Sequence, residues 1–163
     1  DGSGPVRLWS SAALPDVRAV SVPVGGGGLV AGVAGAVKGR TTGVRSIGVE
    51  PEGADAVSRS LAAGRPVALE RIDTVADGLA PPYTRPLNLA LVRQYVDQVG
   101  TVTDGAILDA LRAIVSRTKL VVEPGGAAAI AALDTIAVEK PVVAILTGGN
   151  VDRGRLGQWL AMP

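Results

Sequence analysis

This chain of 163 residues predicts an α/β fold: an open, mostly parallel sheet with helices on both faces. Three observations carry that expectation. Apolar β-branched runs alternate with helix-patterned runs across short connections, the pattern of parallel strands joined by crossover helices. Glycine-rich polar loops follow two of the apolar strands directly. The interior must be built from Ala, Val, Leu and Gly, because 47% of the residues are hydrophobic and none is Phe. Helix and sheet then pack closely through small side chains. The length fits one domain with a real core.

The elements follow in order along the sequence. Residues 6–14 read as a helix stopped by Pro15-Asp16. Arg18–Val24 is a β-branched strand that runs into four glycines, and a helix follows to about Arg40. Thr41-Thr42-Gly43 turns into a second strand, Arg45–Glu50, closed by Pro51. Ala54–Ala63 reads as a helix with Gly64 as its stop, since glycine takes the left-handed C-terminal conformation without a Cβ penalty. Residues 65–86 hold Pro66, Pro81, Pro82 and Pro86 and form a long irregular loop, a kind of segment that often carries function. Leu87, Leu91 and Tyr95 recur every four residues, which predicts a helix over Pro86–Val99. Gly100–Thr103 is a short strand. Thr103-Asp104 caps a helix over Gly105–Ser116, with Ile107, Leu108, Leu111 and Val115 on one face. Leu120–Gly126 leads to an Ala-rich helix over Ala127–Ala137. Lys140-Pro141 opens the last strand, Val142–Leu146, which ends in Thr147-Gly148-Gly149-Asn150.

Composition narrows the chemistry. The net charge of +1 points neither to nucleic acid nor to an acidic membrane surface. No apolar run reaches the ~20 residues of a membrane helix. Asp1-Gly-Ser-Gly-Pro5 lacks the basic-then-apolar order of a signal peptide, so a cytoplasmic protein is expected. Cys and His are both absent, which removes thiol nucleophiles, His-based triads, disulfides and nearly all zinc sites. Acid–base chemistry by this chain's own side chains falls to carboxylates, Tyr, or the three lysines Lys38, Lys119 and Lys140. All three lysines read as solvated surface charges.

The loop Gly25, Gly26, Gly27 and Gly28 stands between a strand and a helix start. A helix N-terminus leaves its first N–H groups unpaired and carries partial positive charge. Glycines let that backbone approach an anion closely, so the loop reads as a phosphate cradle, with a bare tight turn as the alternative. In an open parallel sheet, ligands bind outside the carboxyl ends of the strands. The Thr147–Asn150 loop belongs on that edge too, and Glu123-Pro-Gly-Gly at a helix start can join it. Thr147 reads as a ligand hydroxyl or a turn residue, and Glu123 as a site carboxylate or a helix-N-terminal acid. A competing reading is a dinucleotide-binding module: Gly26, Gly28 and Ala31 fit the G-x-G-x-x-G/A fingerprint, and Glu50 stands where a ribose-binding acid belongs.

Five blocks, in this order and spacing, resemble the serine/threonine dehydratase family of fold type II pyridoxal-phosphate enzymes, which includes serine racemase. They are Val22-Pro-Val-Gly-Gly-Gly-Gly-Leu29, Gly48-Val-Glu-Pro51, Ala76-Asp77-Gly78, Val122-Glu-Pro-Gly-Gly-Ala127 and Leu146-Thr-Gly-Gly-Asn150. The resemblance runs from the opening helix to Asn150. It implies pyridoxal 5'-phosphate as cofactor, with Gly25–Gly28 on the phosphate and Thr147 at the pyridine nitrogen. Asp77-Gly78 and Glu123 would line the site near the ring, and Asn150 would shape its loop. A hydroxyl favours a protonated ring less than a carboxylate does, which in this family goes with α,β-elimination of a hydroxy amino acid to a keto acid. The cofactor phosphate would be the acid for the leaving hydroxyl.

The resemblance also implies what lies elsewhere. The family's Schiff-base lysine block and its substrate-carboxylate block are upstream of this region. The chain then corresponds to the C-terminal part of the large domain, without the N-terminal strands and the small domain. It is expected to be inactive alone, to need that N-terminal half as partner, and to form a homodimer at full length. The family's regulatory domain is likewise not in this sequence. At the metal site of some relatives, the matching positions here are Glu50, the Ala54 carbonyl and Ala56; the third ligand is an alanine, so no metal is expected. Racemisation is the alternative activity within the family, and the choice of serine or threonine stays open.

Overall fold

The computed structural model describes residues 16–137 and 139–162. The helix expected over residues 6–14 lies outside them. Four strands form one sheet: β1 (Ala19–Pro23), β2 (Arg45–Pro51), β3 (Gln98–Val102) and β4 (Val142–Ala144). Their order is β3-β2-β1-β4, and every pair is parallel. The helices are α1 (Gly28–Lys38), α2 (Ala56–Ala63), α3 (Pro86–Tyr95), α4 (Asp104–Thr118), α5 (Pro124–Ala131) and α6 (Arg153–Ala161). No described helix is long and apolar enough to cross a membrane.

β1 is buried along its whole length because both of its faces are covered. Val20, Val22 and Val24 point into a core built with Val30, Val33 and Val37 of α1 and Val92 of α3. Ala19 faces the other core, where Ile47 and Val49 of β2 meet Ile107 and Leu111 of α4 and Ala127, Ala128 and Ala131 of α5. On that side the buried Ser21 donates its hydroxyl to the Ala129 carbonyl at 3.0 Å, tying β1 to α5. The close packing expected from a Phe-free interior is visible at Gly48, where a Cβ would stand 2.8 Å from Val24 Cγ2 and 3.5 Å from Val30 Cγ2.

Several boundaries differ from expectation, each for a local reason. The helix expected over Ala54–Ala63 begins at Ala56, after a 3₁₀ turn at Glu52–Ala54. Its N-terminal amides are held by the Glu50 side chain, and Gly64 ends it in the left-handed conformation. The helix expected over Pro86–Val99 stops at Tyr95, where Val96 turns extended. Asp97 accepts a hydrogen bond from the Ser46 N–H, and Gln98 and Val99 pair with Ile47 and Gly48. Strand pairing beside β2 overrides the helical period there. α4 has the Thr103 cap as expected, its hydroxyl accepting from the Ala106 N–H at 3.1 Å. Its buried stripe is Ile107, Leu108, Ala110, Leu111 and Ile114, with Val115 only partly buried.

The helix expected over Ala127–Ala137 starts earlier, because Pro124 suits a first helical position, and ends at Ala131 in a turn. The strand expected over Val142–Leu146 is confined to Val142–Ala144, the residues that pair with β1. α6 had no sequence expectation. Asp152 caps it by accepting from the Arg155 N–H, and Trp159 is buried against the core beneath the Arg155 guanidinium.

Candidate functional site

Because β1 and β4 are adjacent and parallel, the loops that leave them open on one edge of the sheet. Ser21 pairs with Ala144, so Gly25 and Thr147 both follow shortly after the last paired residues. The Ile145 N–H continues the contact to the Ser21 carbonyl at 2.9 Å. This is the shared edge that the sequence reading requires.

The glycine loop is held open by its surroundings. Gly27 is the N-cap of α1 at φ +86°, ψ −5°, a left-handed conformation that favours glycine. A Cβ there would also stand 3.3 Å from Val92 Cγ2. The N–H groups of Gly25, Gly26 and Gly27 reach no described protein acceptor. The Gly26 carbonyl, in contrast, accepts two hydrogen bonds, from Thr84 Oγ1 at 3.0 Å and Asn88 Nδ2 at 2.8 Å. The N–H donors of Gly25, Gly26 and Gly27 thus stand without a described partner at the positive end of an 11-residue helix. An anion such as a phosphate ester fits that set. A cleft of about 250 Å³ opens beside it, lined by Gly26, Pro81, Pro82, Tyr83, Arg85 and Asn88.

The other blocks gather around Glu123. A Cβ on Gly25 would stand 3.3 Å from Leu79 Cα and 3.5 Å from the Gly78 carbonyl oxygen. A Cβ on Gly78 would stand 2.7 Å from Glu123 Oε1. One on Gly148 (φ +64°) would overlap the Glu123 carboxylate, and one on Gly126 would overlap the Thr147 carbonyl. Hydrogen bonds join the same segments. The Glu123 N–H donates to the Gly148 carbonyl at 3.2 Å, and Glu123 Oε2 accepts from the Asn150 N–H at 3.2 Å.

Glu123 is thus the N-cap residue of α5, yet its carboxylate does not cap that helix. It turns outward and clasps the loop after β4. Thr147 is half-buried in the same loop. Asp77 is exposed, and its carboxylate accepts from the Gly78 N–H at 2.9 Å. The structure brings together Gly25, Gly78, Glu123 and the Thr147–Asn150 loop.

Glu50 plays a different part from either candidate role. It is completely buried, and Oε1 accepts from the Val57 N–H while Oε2 accepts from the Ser58 N–H and hydroxyl, at 2.6–2.8 Å. Burial raises its pKa above the ordinary glutamate value, against the opposing pull of the hydrogen bonds from Ser58 and Val57. A carboxylate committed to the start of α2 is not presented to a metal ion with Ala54, nor to a ribose. Among the described residues no cluster of three acidic side chains has metal-binding geometry.

None of the three lysines makes a hydrogen bond to the glycine loop. Lys38, at the far end of α1, pairs with Asp97 at 2.6 Å beside the start of β2, so it is tethered and not freely solvated. Lys119 ends α4 and donates to the Ser116 carbonyl, and the exposed Lys140 precedes β4. Sequence reasoning missed Thr84 and Asn88. A polar pair four residues apart around Pro86 was visible, but nothing tied it to a loop 58 and 62 residues away.

Comparison with known proteins identifies the family and the fold. A family model described as "Pyridoxal-phosphate dependent enzyme" matches residues 7–148. An L-threonine ammonia-lyase of Thermotoga maritima is 39% identical over 153 residues, covering 93% of this chain and 38% of that protein. A serine racemase of Oryza sativa subsp. indica is 36% identical over 167 residues, covering 98% of this chain and 49% of that protein. The solved structure of a processed threonine deaminase isoform from Solanum lycopersicum superposes with a TM-score of 0.91 at 33% identity, over 99% of this chain and 49% of that one. The chain spans about half the length, or less, of the relatives it matches.

Proposed function

The chain belongs to the pyridoxal-phosphate dependent enzymes, and from that premise we propose that it forms the cofactor-holding part of a serine/threonine dehydratase. In this reading it is the C-terminal portion of the large domain. The reaction is α,β-elimination: a hydroxy amino acid loses water, and hydrolysis of the resulting imine takes up water again and releases ammonia, leaving a 2-keto acid. The observation that carries the reading is the meeting of Gly25, Gly78, Glu123 and Gly148 in one corner, beside three loop N–H groups with no described acceptor.

Each residue then has a part. Gly25–Gly28 hold the phosphate through backbone N–H groups, with the α1 dipole favouring its charge. Thr147 offers a neutral hydroxyl to the pyridine nitrogen. A neutral partner favours a proton on that nitrogen less than a carboxylate does. Glu123 fixes the Thr147 loop against α5 and, with Asp77-Gly78, borders the ring. When bound, the cofactor supplies the electron sink for the pair left on the substrate Cα. Lys38 is paired with Asp97 and Lys119 with the Ser116 carbonyl, and the family resemblance puts the lysine that anchors the cofactor in a segment N-terminal to this one. The full-length protein is a homodimer in this reading, with an amino acid as substrate.

The test uses the full-length protein carrying this chain. It is titrated with pyridoxal phosphate by absorbance, then assayed for keto acid from L-serine and L-threonine with chiral analysis of the remaining amino acid. Cofactor uptake with keto-acid release supports the proposal. D-serine without keto acid turns it toward the racemase reading, and NAD uptake without pyridoxal phosphate uptake overturns it.

A further inference from the structure

We propose that Thr84 and Asn88 are positioning residues for the phosphate group, acting through one peptide plane of the glycine loop. The inference rests on the reading of Gly25–Gly28 as the phosphate cradle. Both side chains donate to the same atom, the Gly26 carbonyl oxygen, at 3.0 Å and 2.8 Å. The peptide unit is planar and trans, so the N–H of Gly27 points the opposite way from the C=O of Gly26. Pinning the carbonyl against the start of α3 therefore aims the Gly27 N–H to the other side of the loop.

A run of four glycines has no side chain to prefer that orientation. Glycine populates left- and right-handed backbone about equally, so the Gly26–Gly27 plane is free to turn over. In the turned-over plane an oxygen replaces a donor in the cradle, and an oxygen repels an anion. Two donors on one carbonyl oppose this. Thr84 is fully buried, and its hydroxyl donates to no other described atom. Asn88 reaches the loop from the first turn of α3, whose Val92 packs under Gly27. The orientation of a loop that is flexible by composition is thus set by a helix remote in sequence.

The experiment measures, on the full-length protein, equilibrium binding of pyridoxal phosphate and of pyridoxal, the same ring without the phosphate. The phosphorus-31 resonance of bound pyridoxal phosphate is recorded alongside. Asn88→Ala and Thr84→Val should each weaken pyridoxal phosphate about tenfold, the factor of one typical hydrogen bond. They should leave pyridoxal affinity unchanged and shift the phosphorus resonance, while Thr84→Ser should bind as wild type. Variants that bind pyridoxal phosphate as wild type does, or that lose both ligands equally, overturn the positioning role. A wild-type protein with no preference for the phosphorylated ligand overturns the cradle reading and this proposal together. A wild-type preference that survives in both variants overturns this proposal alone.

Discussion

Glu123 and Gly148 occupy adjoining space so closely that no Cβ fits between them: the Glu123 carboxylate fills the place where a side chain on residue 148 would begin. The Gly148 carbonyl accepts from the Glu123 N–H in return. Gly148→Ala adds a Cβ at φ +64° and displaces that carboxylate. The expected loss is about 2–4 kcal/mol of stability, strain and displaced contacts combined. Urea unfolding of the full-length protein measures it, and an unchanged midpoint would show that the clasp is slack.

Gly27 separates charge from shape. Gly27→Asp and Gly27→Asn are nearly isosteric, and both residue types tolerate left-handed backbone better than most. Asp adds a negative charge to a site built from N–H donors. Pyridoxal phosphate affinity should fall at least about tenfold further in the Asp variant than in the Asn variant. Equal losses in an equilibrium titration would remove the anion-cradle assignment.

Thr147 is tested through its hydroxyl. Thr147→Ser should retain cofactor affinity and the absorbance spectrum. Thr147→Val, the same shape without the hydroxyl, should weaken binding about tenfold and shift the absorbance maximum. A Val variant with the wild-type spectrum would place the ring nitrogen elsewhere.

Two carboxylates act on stability in opposite pH windows. Glu50 is raised by burial, so the native state binds its proton more readily than the unfolded chain does. Between the ordinary glutamate value and the raised one, stability should therefore increase as pH falls, and Glu50→Gln should flatten that rise. The same substitution faces an NH₂ group toward N–H donors and should lower stability by about 1–3 kcal/mol. Asp97 is lowered: partial burial opposes ionisation, but the Lys38 hydrogen bond and charge, the Ser46 N–H and Arg45 outweigh it. Its contribution is present above the ordinary aspartate value and is lost as pH falls through its native one. Asp97→Asn should abolish only that acid-side loss. Unfolding midpoints stepped through pH separate the two residues.

Much of the sheet and of its polar edge was legible in the sequence, because strand, glycine loop and helix follow one another locally. The Gly64 and Thr103 caps were readable for the same reason. The end of α3 was not, since Val96–Val99 keeps a helical period and only pairing with β2 draws it into a strand. The part Glu50 plays was not legible, because its position at a strand end is the same whether it faces solvent or a helix start. Its burial depends on α2, which the sequence does not place relative to the strand. The Glu123 clasp and the Thr84–Asn88 pair are contacts between distant segments, and nothing local encodes them.

β1 has a paired strand on either side and a helix layer above and below. The most yielding stretch of the sequence is therefore mounted on the least yielding one. Fraying that begins at β3 must cross β2 before it reaches β1, so the β1 amides paired with β2 should exchange with heavy water later than those of β3.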